Sequence, residues 1–237
     1  MKQLLTWLRN RVFRIRQFTA RYPWMFFSLY QLSPVNRKLM VTHKTRITIE
    51  GYPRSANTYA VYAFRHSNPE VGWDEIGHHL HVQAQVQRSR DYGVPVMLLI
   101  RHPLEAVRSL VVRHRFIPVS EALRDYARFY TDLFPLREYF IIVGFEKAVS
   151  DMGGAIEKLN RKFGTGFKPF PDDDDAARSA VFNEIDRRNK TMDKGRITHL
   201  YRPDQDKDAL KDAVEIDEDS DAYRAALEIY RAYLRAV

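Results

Sequence analysis

The chain predicts an α/β fold, a central parallel sheet flanked by helices as a three-layer sandwich, preceded by an amphipathic N-terminal helical arm. Three observations lead there. Between Thr45 and Gly164, short apolar runs alternate with longer segments of helical periodicity. Two of those runs, Val94–Ile100 and Tyr139–Phe145, are apolar almost throughout, the pattern of strands covered on both faces. The stretch Ile47–Tyr59, ITIEGYPRSANTY, reads as strand, turn and helix start, the layout of a loop that collects an anion on backbone N–H groups. A length of 237 residues suits one ordinary domain. We divide it into an arm over 1–44 and an α/β domain over 45–237.

Each element follows from its residues. Thr45–Glu50 is rich in β-branched residues and reads as a strand, Ala56–His66 as a helix, and Val71–Gly77 as a weaker strand. Gln83–Tyr92 is a helix closed by Gly93. After the strand Val94–Ile100, Pro103 suits a first helical turn and opens a helix to Arg115. A helix over Ser120–Arg137 leads to the strand Tyr139–Phe145, and Glu146–Phe163 forms one helix ended by Gly164. Strands spaced this way pair in parallel through right-handed crossovers. The four carboxylates Asp172–Asp175 suit the positive end of a helix dipole. Arg187–Asp208 is polar without apolar periodicity and reads as a loop or cover, and Ala222–Val237 as a last amphipathic helix.

The net charge of +8 is unevenly placed. Residues 1–50 hold ten Lys/Arg against the single Glu50, and the rest of the chain is close to neutral. The basicity therefore belongs to the arm, and no nucleic-acid partner is expected. The absence of Cys excludes disulfides, thiolate catalysis and cysteine-bound metals. In the arm, Leu4, Leu8, Val12, Ile15, Phe18 and Tyr22 recur at helical spacing, with Arg9, Arg14, Arg16 and Arg21 between them. One reading is a helix that packs on the domain and shows its arginines to water. The other is an interfacial helix on anionic lipid through residues 1–35, with Trp24-Met25-Phe26-Phe27 dipping among headgroups. No apolar run approaches the ~20 residues that span a bilayer, and no secretory leader is evident. The expected location is cytoplasmic, with the arm able to make the protein peripheral on a membrane.

Two segments carry chemistry. Against the pattern G-x-x-x-x-G-K-[ST], Gly51 and Thr58 fall in register, but Ala56 replaces the second Gly and Asn57 the Lys. The cation has moved to Arg54. Directly after the strongest strand comes Arg101-His102-Pro103, with Ser109 eight residues beyond Arg101. A magnesium-dependent nucleotide hydrolase commonly ends such a strand with Asp to hold the metal; an Arg there attracts a second phosphate instead. A P-loop kinase of a small molecule lacks both its Lys at position 57 and its metal carboxylate. No G-x-G-x-x-G follows a strand, so a Rossmann dinucleotide site has no support.

At these residues the chain resembles the sulfotransferase family that uses 3′-phosphoadenosine 5′-phosphosulfate. Gly51–Tyr59 is similar to that family's 5′-phosphosulfate loop, usually close to T-Y-P-K-S-G-T-T-W, and Leu98–Pro103 with Ser109 to its 3′-phosphate motif. Phe145-Glu146 follows a buried strand as the family's Tyr-Glu pair does. The likeness spans about Ile47–Gly164. It implies a P-loop-like fold and transfer of a sulfuryl group to a hydroxyl or amine, releasing adenosine 3′,5′-bisphosphate, with no metal. It implies that Pro53, Arg54, Ser55, Ala56, Asn57, Thr58 and Tyr59 surround the 5′ end of the donor. Arg101 and Ser109 would hold the 3′-phosphate, with Lys194, Gly195 and Arg196 as the trace of a later basic-glycine motif. Family members mostly carry Lys where Arg54 stands; Arg keeps the charge but cannot donate a proton.

An acceptor hydroxyl loses its proton as its bond to sulfur forms, and His is suited to take it near neutral pH. In Gly77-His78-His79-Leu80-His81, the pair His79-Leu80 matches a His-Leu of the family, so His79 is the expected base and His81 the reserve. The same histidines could instead form a structural turn, or a zinc site for which their spacing is poor. A non-catalytic protein on the same fold, binding membranes or acidic partners through its arm, is the remaining reading. Nothing in the sequence spells the acceptor as glycan, lipid or small molecule.

Overall fold

The computed structural model describes residues 2–193 and 205–236. Its centre is one parallel sheet of β1 (Ile47–Gly51), β2 (Ile76–His78), β3 (Val96–Ile100) and β4 (Ile141–Gly144), in the order β2-β1-β3-β4. Ile49 pairs with His78 on one side and Met97 on the other, and Leu99 pairs with Val143. Successive strand side chains alternate between faces. Ile47, Ile49, Met97, Leu99, Ile141 and Val143 pack with α4 (Asn57–Ser67), α8 (Phe145–Ser150), α9 (Met152–Phe163) and α10 (Asp175–Asp193). Val96, Leu98, Ile100 and Ile142 pack on the other side with α5 (Gln83–Asp91), α6 (Pro103–Arg113), α7 (Val119–Leu133) and α12 (Asp221–Leu234). The sheet is thus covered by helices on both faces.

That topology fixes where a ligand can sit. The helix leaving β1 covers one face and the helix leaving the neighbouring β3 covers the other. The chain therefore parts at the carboxyl ends of β1 and β3, the switch point where open α/β sheets bind ligands.

Several sequence expectations change. Of Val71–Gly77 only the end is strand; Trp73–Glu75 is a 3₁₀ turn, because the Gly72 N–H bonds the Glu75 carboxylate at 2.7 Å. The helix expected over Glu146–Phe163 breaks at Asp151, whose non-helical backbone leaves its carboxylate to cap α9 at the Gly154 N–H. Asp174 caps the start of α10 through the Ala176 and Ala177 N–H groups. Asp172 instead caps α9, accepting from Met152 and Gly153. Arg187–Asp208 is not a loop at its start: α10 runs to Asp193, held by Ala177, Val181 and Ile185 in the core. α11 (Gln205–Asp212) follows the residues outside the description.

The arm forms α1 (Lys2–Thr19), α2 (Pro23–Tyr30) and α3 (Pro34–Arg37) and packs on the domain. Phe26 and Phe27 are buried with Ala20, Met40, Leu80, Val82 and Ala84. They are core anchors, so of the aromatic cluster expected among headgroups only Trp24 stands exposed. Among the described residues no helix is long and apolar enough to cross a membrane.

Candidate functional site

At the β1–β3 switch point lies a cavity of about 650 Å³. Pro53, Arg54, Ala56, Asn57, Thr58 and Tyr59 line it from the loop after β1, Arg101 and Ser109 from the β3–α6 segment, and His79 and His81 from the segment after β2. Sequence motifs far apart in the chain thus meet. Ser55 is fully buried and does not line the cavity. Lys194, Gly195 and Arg196 lie outside the described residues.

The segment that follows β1 is held in an unusual backbone. Gly51 is required where it stands, since a Cβ there would collide with the Leu99 carbonyl of the neighbouring strand. Arg54 and Ala56 adopt left-handed conformations, φ 73° and 68°, and so do His79 and His81, φ 57° and 51°. Among the described residues these are the non-glycine positions with positive φ, and each lines the cavity. Such conformations cost about 1–2 kcal/mol per residue and persist only where the surroundings impose them. Around Arg54 and Ala56 a tyrosine frame holds the backbone. The Tyr130 hydroxyl donates to the Leu99 carbonyl at 2.7 Å and accepts the Tyr52 N–H at 3.2 Å, while Tyr126 donates to the Arg101 carbonyl at 2.6 Å. The Asn57 amide donates to the Tyr52 carbonyl at 3.0 Å, bracing the loop from within. Ala56, at the N-cap of α4, offers no side-chain acceptor to the first N–H groups of that helix, the end of the helix that attracts anions.

The two arginines are joined. Arg54 Nε donates to Ser109 Oγ at 2.8 Å, and Arg101 Nη1 donates to the Arg54 carbonyl at 3.2 Å. The Arg101 guanidinium stacks over Phe145 at 3.9 Å and pairs with Glu105 at 3.3 Å. Burial lowers its pKa from the ordinary value, and Glu105 acts the other way.

The histidines differ from one another. His79 has both ring nitrogens engaged, Nε2 with Thr58 Oγ1 at 2.9 Å and Nδ1 with His78 Nδ1 at 2.6 Å. His81 Nδ1 lies 2.8 Å from the Gly51 carbonyl, which can only accept, so Nδ1 carries the proton and Nε2 keeps its lone pair. Burial pushes His78 down to about 4 and His81 to about 3, and His79 well below its ordinary value, so all three rings are neutral near pH 7. Among the described residues, no group of three His, Asp or Glu side chains is placed to hold a metal ion.

Sequence reasoning missed Glu50. Its carboxylate is fully buried, accepts the Leu80 N–H at 2.8 Å and the His81 N–H at 3.0 Å, and lies 3.5 Å from His81 Nδ1. Burial raises it to about 8 despite those bonds. A lone carboxylate inside the apolar run ITIEG was the available signal. It fixes the left-handed segment that carries both histidines. The arm was missed here as well: Phe13, Arg16 and Gln17 of α1 form part of the cavity wall. No protein-family model matches the chain, and no curated protein is significantly similar to it.

Proposed function

We propose that the protein is a sulfotransferase on a P-loop-like sheet, moving a sulfuryl group from 3′-phosphoadenosine 5′-phosphosulfate to a hydroxyl or amine of an acceptor. One observation carries the reading. Arg54 and Ser109, 55 positions apart, and Arg101 with Arg54, 47 apart, are hydrogen-bonded to each other at one rim of the cavity. Two cationic forks and a hydroxyl gathered at a strand-edge crevice suit a ligand that carries more than one phosphate-type group. The size of the cavity and the uncapped α4 N-terminus beside it suit the same ligand.

The bound donor supplies an activated sulfuryl group on a phosphate leaving group. The residues of the chain do the rest. Arg54 and the N-terminus of α4 neutralise charge that develops on the leaving oxygen, Thr58 adds a hydroxyl, and Arg101 with Ser109 holds the second phosphate. His81 is the base we favour, because it lines the cavity with Nε2 unprotonated, whereas His79 shares Nε2 with Thr58. His81 takes the acceptor proton on Nε2 while the Gly51 carbonyl and Glu50 hold its ring and segment.

Calorimetry with adenosine 3′,5′-bisphosphate in the absence of magnesium tests the proposal. Saturable binding is expected, weakened by about 100-fold in Arg101→Ala through loss of charge-assisted hydrogen bonds. Binding of ATP only with magnesium, or no nucleotide binding by the folded protein, overturns it.

A further inference from the structure

α1 packs with its polar side inward. At 100° per residue, Asn10, Arg14 and Gln17 fall on one side of the helix, with Arg21 in the turn that follows it, and Leu4, Leu8, Val12 and Ile15 on the opposite one. The first set faces the domain. Asn10 and Arg14 bond Glu121, Arg21 forms a two-bond pair with Asp132, and Gln17 is buried. Arg16 donates to the Leu80 carbonyl, which further prevents the helix from rolling. The second set faces water: Val12 is 63% exposed, Ile15 62% and Leu4 61%, with Trp7, Leu8 and Phe18 also exposed. A contiguous apolar stripe of this kind marks an interaction surface.

Charge decides what covers it. No acidic residue precedes Glu50, whereas Arg9, Arg11, Arg37 and Lys38 are exposed. Arg11 lies in the stripe itself, stacked over Trp7 at 5.0 Å. Two copies meeting through this face would set those arginines against their own kind. An anionic bilayer offers hydrocarbon for the stripe and negative headgroups for its rim. We propose that α1 is an interfacial helix that seats the protein on an anionic lipid surface. Phe13 and Gln17 on its opposite side, and Arg16 on its flank, form a wall of the cavity, so seating brings that wall close to the membrane.

The test is sedimentation of the full chain with phosphatidylglycerol–phosphatidylcholine vesicles, against vesicles of phosphatidylcholine alone. Partitioning onto the anionic vesicles is expected to be stronger by at least about tenfold and to weaken with salt. The double variant Val12→Gln/Ile15→Gln should lose it while melting as the wild type does. Arg9→Gln/Arg11→Gln, which leaves the stripe intact, should lose the preference for anionic lipid. Failure to sediment with anionic vesicles, or sedimentation unchanged in both variants, overturns the proposal. So does a dimer in ultracentrifugation that Val12→Gln/Ile15→Gln abolishes in a protein that ignores vesicles. Because this readout needs no nucleotide, it is independent of the proposed reaction.

Discussion

The crevice at β1 and β3 and the helix α1 handle the same residue types in opposite ways. In the crevice, apolar strands are buried and charged groups are drawn into a cavity, where Glu50 is fully buried and four non-glycine residues adopt left-handed backbone. In α1, arginines and amides bond the domain while leucine, valine and isoleucine meet solvent. Both depart from the rule that apolar groups go in and polar groups out, and both do so where we propose that a ligand or a membrane is met. The crevice spends backbone strain to aim side chains; the arm leaves apolar surface uncovered. A deviation from ordinary folding economy therefore points to function in each, but to different kinds of partner.

The largest effect that would sharpen this contrast is kinetic. His81→Ala should lower transfer by roughly 10²–10⁴-fold, as loss of a general base does, and leave affinity for adenosine 3′,5′-bisphosphate nearly unchanged. His79→Ala should lower it far less; the reverse ranking in steady-state assays would exchange the two roles. Next is stability. Leu99→Ala, in the fully buried β3, should cost about 3 kcal/mol in urea unfolding. Leu8→Ala on α1 should stay within about 0.5 kcal/mol, and an equal cost would break the distinction between the regions.

Near neutral pH the dependence of stability on pH is set mainly by buried groups. As pH rises above 6.5, His78, His79 and His81 become neutral in the unfolded chain as they already are in the folded one. Glu50, raised to about 8, and Asp125, raised to about 7, still hold protons in the folded state that the unfolded chain has released. Stability therefore falls as pH rises from 6.5 to 8, by up to about 1.4 kcal/mol per pH unit for each group still protonated. Below 6.5 the unfolded chain protonates His78, His79 and His81 while the folded chain does not, which opposes the two acids and lowers stability on further acidification. Thermal melting across pH should show a maximum near 6.5, and Glu50→Gln should flatten the alkaline side. The smallest effect is at Ala56, φ 68°. Ala56→Gly should relieve left-handed strain and raise stability by roughly 0.5 kcal/mol after the added entropy of the unfolded chain is counted.

Much of the sheet was legible because it is written locally. Ile47–Gly51, Val96–Ile100 and Ile141–Gly144 are short apolar runs, and the segments that end them are adjacent in sequence to Arg54 and Arg101. The break at Asp151 was not legible, since Glu146–Phe163 keeps a helical apolar period straight through the cap. Nor was the helical state of Arg187–Asp193, which extends a helix whose buried residues sit earlier, at Ala177, Val181 and Ile185. His79 and His81 look alike in sequence because the group that distinguishes them, the Gly51 carbonyl, lies 30 positions from His81.

What the sequence determined by itself was the alternation of strand and helix, the two arginine-bearing loops at strand ends, and the helical period of the arm. Each rests on hydrogen bonds and apolar spacing within a few residues. The tertiary structure alone decided which side of α1 is covered, which imidazole keeps a free nitrogen, and that Glu50 organises the segment bearing it. Those outcomes depend on partners 30 to more than 100 residues away, such as Glu121 for Arg14 and Gly51 for His81. A periodic pattern says that a helix has two unlike sides, but only its neighbours settle which of them meets water.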